Sequence, residues 1–275
     1  MSFDDSGHWY DHDGNSAHEV EDPKNPGTMK KTDVKDARRL SLCPSVTSIQ
    51  KVENRPGLNR WGNGVCAEMG AELAHLQGSM PDNQWRSMVI SKAYERVGSA
   101  ADAGTQYHLV VESIINDEEL PDYELTIPPE FFDGFCEWWG KSGIICDETE
   151  VGFCHPLGFG GRLDLKGHYA DVSDIFVDWK SKETEGKSNS QLFYKDDQPV
   201  QLRSYMEGYA HKIAQKMLFL HEPKLMTVVI SRDEPGRIIE KIWPEDQYDS
   251  YWERFKHELG IWVIANDYDP NWEGE

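Results

Sequence analysis

The chain has 275 residues and a formal net charge of −21 at pH 7, and this length suits one large domain or two small ones. No run of roughly 18 apolar residues occurs, and the acidic N-terminus lacks the basic and apolar stretches of a targeting peptide. We therefore expect a cytoplasmic protein without a membrane segment. The five cysteines form no C-x-x-C spacing, which favours free thiols over a disulfide framework or a zinc site.

The acidic charge is concentrated at both ends of the chain. Residues 1–25 contain seven acidic residues and one lysine, and residues 245–275 contain nine acidic residues and two basic ones. Without these ends 33 acidic and 25 basic residues remain, so a local basic groove that binds phosphate is still compatible with the composition.

The N-terminal stretch is polar and has no hydrophobic period, which is typical of a mobile segment. We predict a flexible tail over residues 1–40, a single domain over 41–265 and an acidic tail over 266–275. Within the domain, a helical part (41–142) precedes a core (143–265). The tail ends in a basic cluster that fits a solvated face and a phosphate contact equally well, formed by Lys30, Lys31, Lys35, Arg38 and Arg39.

The hydrophobic pattern predicts several helices first, and then strands and helices in alternation. In chain order, the predicted elements are a β-prone piece at 42–49, helices at 57–76, 83–97, 100–116 and from 128, strands at 144–154, 159–169 and 175–180, a polar loop at 181–198, a helix at 199–220, strands at 225–231 and 237–243, and a helix at 245–265. This order indicates a mixed central β-sheet flanked by helices, in the α/β (α+β) class.

The predicted strand at 175–180 ends in side chains that suggest chemistry. Asp178 and Lys180 are two residues apart and leave the same face of the strand. Asp164 lies on the preceding strand and can meet them across a hairpin. Two carboxylates suit a hard divalent ion such as Mg²⁺, and a nearby ammonium can position a water or stabilise charge on a phosphate. The alternative is a surface hairpin with solvated side chains, but the apolar strand before Asp178 favours a site.

The predicted helix at 100–116 carries another candidate. His108 and Glu112 are four residues apart and share a face, and Gly104 allows a close approach one turn earlier. Taken alone, a residue such as His108 is more often a hydrogen-bonded core histidine than a ligand. The long polar loop at 181–198 predicts a flap that contacts substrate.

Five short motifs follow one another between residues 44 and 205. They are Pro44-Ser45-Val46-Thr47, Gly104-Thr105-Gln106-Tyr107-His108 with Glu112 after it, Gly161-Arg162-Leu163-Asp164, Asp178-Trp179-Lys180, and Gln201-Leu202-Arg203-Ser204-Tyr205. Together they resemble the PD-(D/E)XK nuclease superfamily, in its RecB-type branch with the mitochondrial genome maintenance exonuclease and phage exonucleases. The resemblance implies a restriction-endonuclease-like core. Ser181 stands where the family often has threonine.

The resemblance also implies roles for individual residues. His108, Asp164, Asp178 and the backbone carbonyl of Trp179 would hold the metal, and Lys180 would orient or activate the attacking water. Gln201 and Tyr205 would brace the site or contact DNA. Glu150 is a possible further carboxylate, and it fits an exposed strand residue equally well. The remaining residues expected to bind substrate are Ser45, Thr47, Thr105, Arg162, Ser181 and Lys182.

The activity implied by the resemblance is that of a deoxyribonuclease that depends on Mg²⁺ or Mn²⁺. We expect an exonuclease that leaves 5′-phosphate and 3′-hydroxyl ends, has no iron–sulfur cluster, and acts in phage or bacterial DNA recombination, repair or degradation. Its partner would be DNA, with a helicase or a single-strand annealing protein as a further partner; the resemblance leaves the oligomeric state open. The rivals are a nicking or structure-specific endonuclease on the same core, and a non-catalytic acidic DNA mimic or adaptor.

Overall fold

The chain divides into two compact units in the computed structural model, which describes residues 7–53, 56–120, 127–214 and 221–271, without the side chains of 56–58, 99–101 and 214. One unit combines residues 1–53 with 128–275, and the other is formed by residues 54–127. The predicted domain over 41–265 therefore includes parts of both units. Residues 41–53 and 128–142, predicted to belong to the helical part, lie in the unit that contains the main sheet.

The first unit begins with short strands and helices in the segment predicted to be a flexible tail. These elements are β1 (Trp9–Tyr10), β2 (Glu19–Glu21), β3 (Met29–Lys31), α1 (Val34–Leu40), β4 (Cys43–Pro44) and the single turn α2 (Val46–Ile49). β1 pairs antiparallel with β4, and β2 pairs antiparallel with β3. The β-prone piece predicted at 42–49 is thus a two-residue strand followed by a helical turn.

Trp9 ties this segment to the body of the unit. Its side chain is 2% exposed, and its ring contacts those of Trp262 and Tyr268 near the other end of the chain. The flexible tail predicted over 1–40 is therefore wrong for residues 7–40, because Trp9 and Tyr10 within this acidic stretch are buried. Residues 1–6 of that prediction lie outside the described residues.

The charged residues of this segment mostly satisfy one another. Asp33 caps α1 by accepting hydrogen bonds from the backbone N–H groups of Lys35 and Asp36. Lys30 forms ion pairs with both Asp33 and Asp36. Arg39 also pairs with Asp36, so two of the five basic side chains of the cluster serve local structure. This favours the interpretation of the cluster as a solvated face over a phosphate-binding one.

The second unit is built from two long helices, α3 (Pro56–Glu72) and α4 (Asp82–Ile115). Val65 and Met69 of α3 pack against Val89 and Ala93 of α4. The separate helices predicted at 83–97 and 100–116 are one continuous helix, because the glycine between them costs only about 1 kcal/mol and does not interrupt the backbone hydrogen bonds. Across the described residues, every helix is too short or too polar to cross a bilayer.

The main sheet of the first unit has five strands in the spatial order of the chain. The strands are β5 (Ile145–His155), β6 (Phe159–His168), β7 (Asp174–Lys182), β8 (Lys224–Ser231) and β9 (Ile238–Ile242). The helices of the same part of the chain are α5 (Pro129–Ser142), α6 (Asn189–Leu192), α7 (Gln198–Ala214) and α8 (Tyr248–Asn266). Neighbouring strands are antiparallel, except that β7 and β8 are parallel. A parallel pair needs a crossover, and α7 lies in that connection. The predicted α/β (α+β) class, a mixed sheet flanked by helices, is confirmed.

Helices cover both faces of the sheet. On β7, the Phe176 ring contacts Tyr209 of α7, whereas the Trp179 ring contacts Phe135 of α5. These two strand residues are an odd number of positions apart and therefore point to opposite faces. Asp178 and Lys180 share the face of Phe176, so the candidate site lies under α7.

The end of the chain is also anchored in the first unit. The hydroxyl of Tyr268 donates a hydrogen bond to the carbonyl of Leu42 at 2.7 Å. The predicted acidic tail over 266–275 is thus held to the first unit at Tyr268, while 272–275 lie outside the described residues. The last part of the helix predicted at 199–220, residues 215–220, also lies outside them.

Candidate metal centre

Asp178 and Lys180 form an ion pair on β7 that α7 covers. The Lys180 ammonium lies 2.9 Å from Oδ1 and 2.8 Å from Oδ2 of Asp178. The Asp178 side chain is 1% exposed and that of Lys180 is 27% exposed. Since Ile175, Phe176 and Val177 before them are fully buried, the strand places both charged groups at the edge of the core. The predicted surface hairpin with solvated side chains is thereby excluded for Asp178.

Asp164 lies on β6 next to this pair. Leu165 pairs with Val177, so the antiparallel register puts Asp164 opposite Asp178 and on the same face of the sheet. Its Oδ2 accepts a hydrogen bond from the backbone N–H of Trp179 at 2.7 Å. Because the N–H and C=O of one residue leave an extended strand on the same side, the Trp179 carbonyl that was predicted to be a ligand is on the side of Asp164.

Gln201 and Tyr205 connect α7 to the buried carboxylate. The Gln201 amide donates hydrogen bonds to Asp178 Oδ1 at 3.0 Å and to the Tyr205 hydroxyl at 2.8 Å. The two residues are one helical turn apart, so both reach the sheet from the same face of α7. Gly161 makes room for Tyr205, since a Cβ there would stand 2.9 Å from the Tyr205 ring.

The electrostatic environment keeps Lys180 charged. Burial alone would lower its pKa, but the negative charges of Asp178 and Asp164 outweigh burial and raise the pKa above its usual value. Burial and the same two carboxylates raise the pKa of Tyr205. At neutral pH the site therefore contains an ammonium and a neutral phenol beside the carboxylates. In this state Lys180 can orient a water or stabilise negative charge, but it cannot accept a proton.

Glu150 adds a third carboxylate on the neighbouring strand β5. One of its carboxylate oxygens lies within 4.8 Å of one of Asp164. Glu150 has a positive φ of 51°, a conformation that non-glycine residues rarely adopt and that is often found at functional sites. The side chain of Glu150 is 17% exposed, which disfavours the interpretation as an exposed strand residue, and its role as an additional carboxylate of the site stays a prediction.

His108 and Thr105, two residues of the predicted site, belong to α4 in the second unit. His108 is half-buried on that helix. Its role as a ligand of the same metal, and the contact of Thr105 with substrate, stay predictions.

Ser45 and Thr47, predicted to bind substrate, are parts of the α2 turn. The Ser45 hydroxyl caps this turn by accepting a hydrogen bond from the backbone N–H of Ser48 at 3.0 Å, and it lies 3.1 Å from the Thr47 hydroxyl. Ser45 also forms a parallel bridge with Gly160 of β6, the strand that carries Asp164. The structure thus gives Ser45 a local role in holding α2 on the sheet, and its contact with substrate remains a prediction.

Ser181 and Lys182 follow the site residues on β7 and lead into the predicted flap. Lys182 donates a hydrogen bond to the carbonyl of Leu192 at 2.7 Å, and its ammonium lies 4.2 Å from the centre of the Tyr194 ring. Ser181 is paired in register with Ile230 of β8. The ammonium of Lys182 therefore holds the flap, and we expect it to influence substrate through the position of the flap.

Asp233 anchors the start of the flap. Its carboxylate accepts hydrogen bonds from the backbone N–H groups of Thr184 and Glu185 and from the Ser231 hydroxyl. Burial opposes ionisation, but these hydrogen bonds outweigh it and lower the pKa of Asp233 to about 2.

The low pKa of Asp233 predicts a pH-dependent contribution to stability. Because the folded-state pKa lies below the ordinary 3.8, the contribution is complete above that value and is lost as the pH falls through about 2. We expect Asp233→Asn to lower the free energy of unfolding by up to about 1 kcal/mol at pH 7. Thermal unfolding from pH 7 to pH 2 should show the difference from wild type shrinking below about pH 4. A difference that grows as the pH falls would contradict the assignment.

Tyr10 lies near the site, although the sequence analysis did not predict this residue to be part of it. Burial raises the pKa of Tyr10 to about 12, Arg162 opposes this rise, and Glu150 and Asp164 add to it, so its hydroxyl lies near all three charged groups. A Cβ at Gly160 would stand 2.7 Å from Tyr10 Cβ, so this glycine permits the contact. The adjacent Gly160-Gly161 pair was the one sequence feature that could have indicated close packing here.

No protein-family model matches the chain, and no curated protein matches it. Among solved structures, one described as "Crystal structure of SSO0001" is 16% identical and is matched over 72% of this chain and 73% of that chain, with a TM-score of 0.29. A likeness at that TM-score identifies neither a shared fold nor a shared function.

Proposed function

We propose that the chain is a metal-dependent deoxyribonuclease that acts as an exonuclease. The observation that carries the proposal is the group formed by Asp164, Asp178 and Lys180 on two adjacent strands, with the ammonium held on a carboxylate that is almost completely buried. A buried carboxylate costs free energy unless it is paired, and such a cluster is characteristic of functional sites. The order of the five motifs, with their resemblance to PD-(D/E)XK nucleases, supports the same activity.

The donor set fits a hard divalent cation. Glu150 and Asp164 place carboxylate oxygens within 4.8 Å of each other, and Asp178 faces Asp164 across the hairpin. Oxygen ligands of this kind suit Mg²⁺ or Mn²⁺. His108 and the Trp179 carbonyl are the further ligands that the motifs predict. When bound, the cation would supply Lewis-acid activation of the phosphate and of the attacking water.

The side chains of the chain itself then have separate tasks. Lys180, which stays protonated, orients the water and offsets the charge that develops on the phosphate in the transition state. Gln201 holds Asp178 in place through its amide, and Tyr205 holds the amide of Gln201. Attack in line with the leaving 3′-oxygen gives 5′-phosphate and 3′-hydroxyl ends. DNA is the proposed partner, and a role inside a bacterial or phage-infected cell is proposed with it.

The decisive experiment uses the purified full chain and end-labelled linear DNA, single- and double-stranded. We expect cleavage with Mg²⁺ or Mn²⁺ and none with EDTA. A covalently closed circle should stay intact, because an exonuclease needs an end; its conversion to nicked or linear DNA would instead identify an endonuclease. If neither DNA is cleaved with either metal, the proposal is wrong and a non-catalytic adaptor is favoured.

A further inference from the structure

A small cleft adjoins the candidate metal centre within the first unit. Its volume is about 210 Å³, and its lining is mostly polar, formed by Gly14, Asn15, Ser16, Glu150, Gly152 and Arg162. Glu150 belongs to both the cleft and the candidate centre. Asp164, Asp178 and Lys180 do not line the cleft, so a group bound in it lies beside the reacting phosphate and not at it.

One wall of the cleft is a loop of the N-terminal segment that is docked by backbone contacts. Gly14 has a φ of 84°, and a Cβ there would stand 2.6 Å from Phe153 Cα. A Cβ at Gly152 would stand 2.3 Å from the Gly14 carbonyl oxygen. Asp11 shapes the loop by accepting hydrogen bonds from the backbone N–H groups of Asp13 and Asn15. Two glycines in contact leave no room for side chains, and this holds the loop in a defined position.

The two terminal nitrogens of Arg162 are available as hydrogen-bond donors in the cleft. Its Nε donates to the backbone carbonyl of Glu150 at 3.3 Å and lies 2.8 Å from Glu150 Oε2. Neither of its two terminal nitrogens makes a hydrogen bond to the described residues, and the side chain is 54% exposed. A guanidinium with both terminal nitrogens available is suited to bidentate binding of a phosphate or carboxylate.

The surroundings of Arg162 favour an anion. The pKa of the His18 imidazole is lowered mainly by burial and further by the charge of Arg162. The imidazole therefore lies close to the guanidinium. Lys212 donates a hydrogen bond to the carbonyl of Gly152, another residue of the cleft. Two cationic side chains, Arg162 and Lys212, thus lie at a polar cleft in a chain whose net charge is −21.

From these observations we infer that the cleft binds a second, non-scissile phosphate of the nucleic-acid strand, with Arg162 as the bidentate donor and the loop at Gly14–Ser16 as its wall. The inference rests on the proposed function, because it takes the strand at the metal centre to be a nucleic acid. It makes Arg162 and the N-terminal loop determinants of how the strand is positioned. The phosphate is either a terminal monoester or an internal diester, and both present the same oxygens.

The test measures binding without cleavage. A single-stranded oligonucleotide of about 12 nucleotides is titrated with full-length protein in Ca²⁺, and fluorescence anisotropy reports the Kd. One uncharged methylphosphonate is moved through the internal positions, and a 5′-hydroxyl form is compared with a 5′-phosphate form. For wild type we expect one position, or the terminal phosphate, to weaken binding at least tenfold when its charge is removed.

In the Arg162→Gln variant, removing the charge at that one position should no longer weaken binding, while the effects of removing charge at the other positions should be unchanged. The slope of log K against log salt should be shallower by about 0.7. Arg162→Lys keeps the charge but not the two terminal nitrogens, so it should recover the salt dependence and only part of the position effect. Arg96→Gln is the matched control, since Arg96 is 52% exposed and pairs with Glu72 but lies on α4.

The inference is overturned if wild type shows no position dependence, if Arg162→Gln retains it, or if Arg96→Gln loses it as well. Absence of binding to any oligonucleotide in Ca²⁺ also overturns it. These outcomes are independent of cleavage, so they are distinguishable from a failure of the proposed nuclease, which is defined by intact DNA in Mg²⁺ and Mn²⁺.

Discussion

Replacing Lys180 by methionine is expected to lower the rate of DNA cleavage by about 10²–10³-fold at saturating metal. The substitution keeps most of the side-chain volume but removes the ammonium that pairs with Asp178. That ammonium stays protonated at neutral pH, because Asp178 and Asp164 raise its pKa against the effect of burial. The rate loss therefore measures charge stabilisation and water orientation, and it is read from single-turnover cleavage of end-labelled DNA with Mg²⁺.

A matched control for this variant exists on the neighbouring strand. Lys166 of β6 is also a half-buried lysine, and it pairs with Asp147 at 2.6 Å and with Asp174 at 2.7 Å. Lys166→Met should destabilise the fold but leave the cleavage rate of the folded protein within a few-fold of wild type. If both variants lose activity equally, or if Lys180→Met keeps wild-type rates, Lys180 is not a catalytic residue.

The same substitution should also change stability in the absence of metal. Without Lys180, the buried carboxylate of Asp178 keeps the amide of Gln201 as a hydrogen-bond donor but loses its cation. We expect a loss of about 1–3 kcal/mol in the free energy of unfolding, the range for a buried polar group that loses a partner. If Asp178 is a metal ligand, Mg²⁺ should restore part of this loss, and thermal unfolding with and without Mg²⁺ measures the difference.

The sheet and the two aspartates were predictable because local patterns determine them. The strand at 175–180 is an apolar run, and side chains alternate between the faces of a strand, so Asp178 and Lys180 had to share a face. The spacing to Asp164 allowed one antiparallel hairpin, and the register confirms it. The helix with Gln201 and Tyr205 followed from its apolar period. It covers the site because it lies in the crossover connection that the parallel strands β7 and β8 require.

The parts that the sequence failed to predict depend on contacts between distant segments. The acidic N-terminus has the composition of a mobile tail, yet several of its carboxylates cap helices or shape turns, as Asp33 and Asp11 do. The burial of Trp9 depends on Trp262 and Tyr268, more than 250 positions away, and no local pattern reports such a contact. The division at residues 54–127 is likewise a property of which helices pack together.

Trp9→Ala is expected to destabilise the first unit by about 3–5 kcal/mol, the range for truncating a large aromatic side chain in a core. The ring is 2% exposed, donates a hydrogen bond from Nε1 to the Thr32 carbonyl at 3.1 Å, and contacts Trp262 and Tyr268. Its loss would release both ends of the chain from the sheet, because the same cluster anchors the C-terminal segment. Urea unfolding followed by near-ultraviolet circular dichroism gives the free energy of unfolding.

The control for this prediction is Trp61→Ala, which removes the same side chain from an exposed position on α3. We expect Trp61→Ala to change the free energy of unfolding by no more than about 0.5 kcal/mol, as is usual for surface substitutions. Equal effects of the two substitutions, or a Trp9→Ala effect near zero, would mean that the N-terminal segment does not belong to the core. The wall of the cleft beside Arg162 would then lose its support as well, since the loop at Gly14–Ser16 follows Trp9 directly in the chain. Stability of the N-terminal segment and placement of the nucleic-acid strand are thus expected to fail together, because one short stretch of chain serves both.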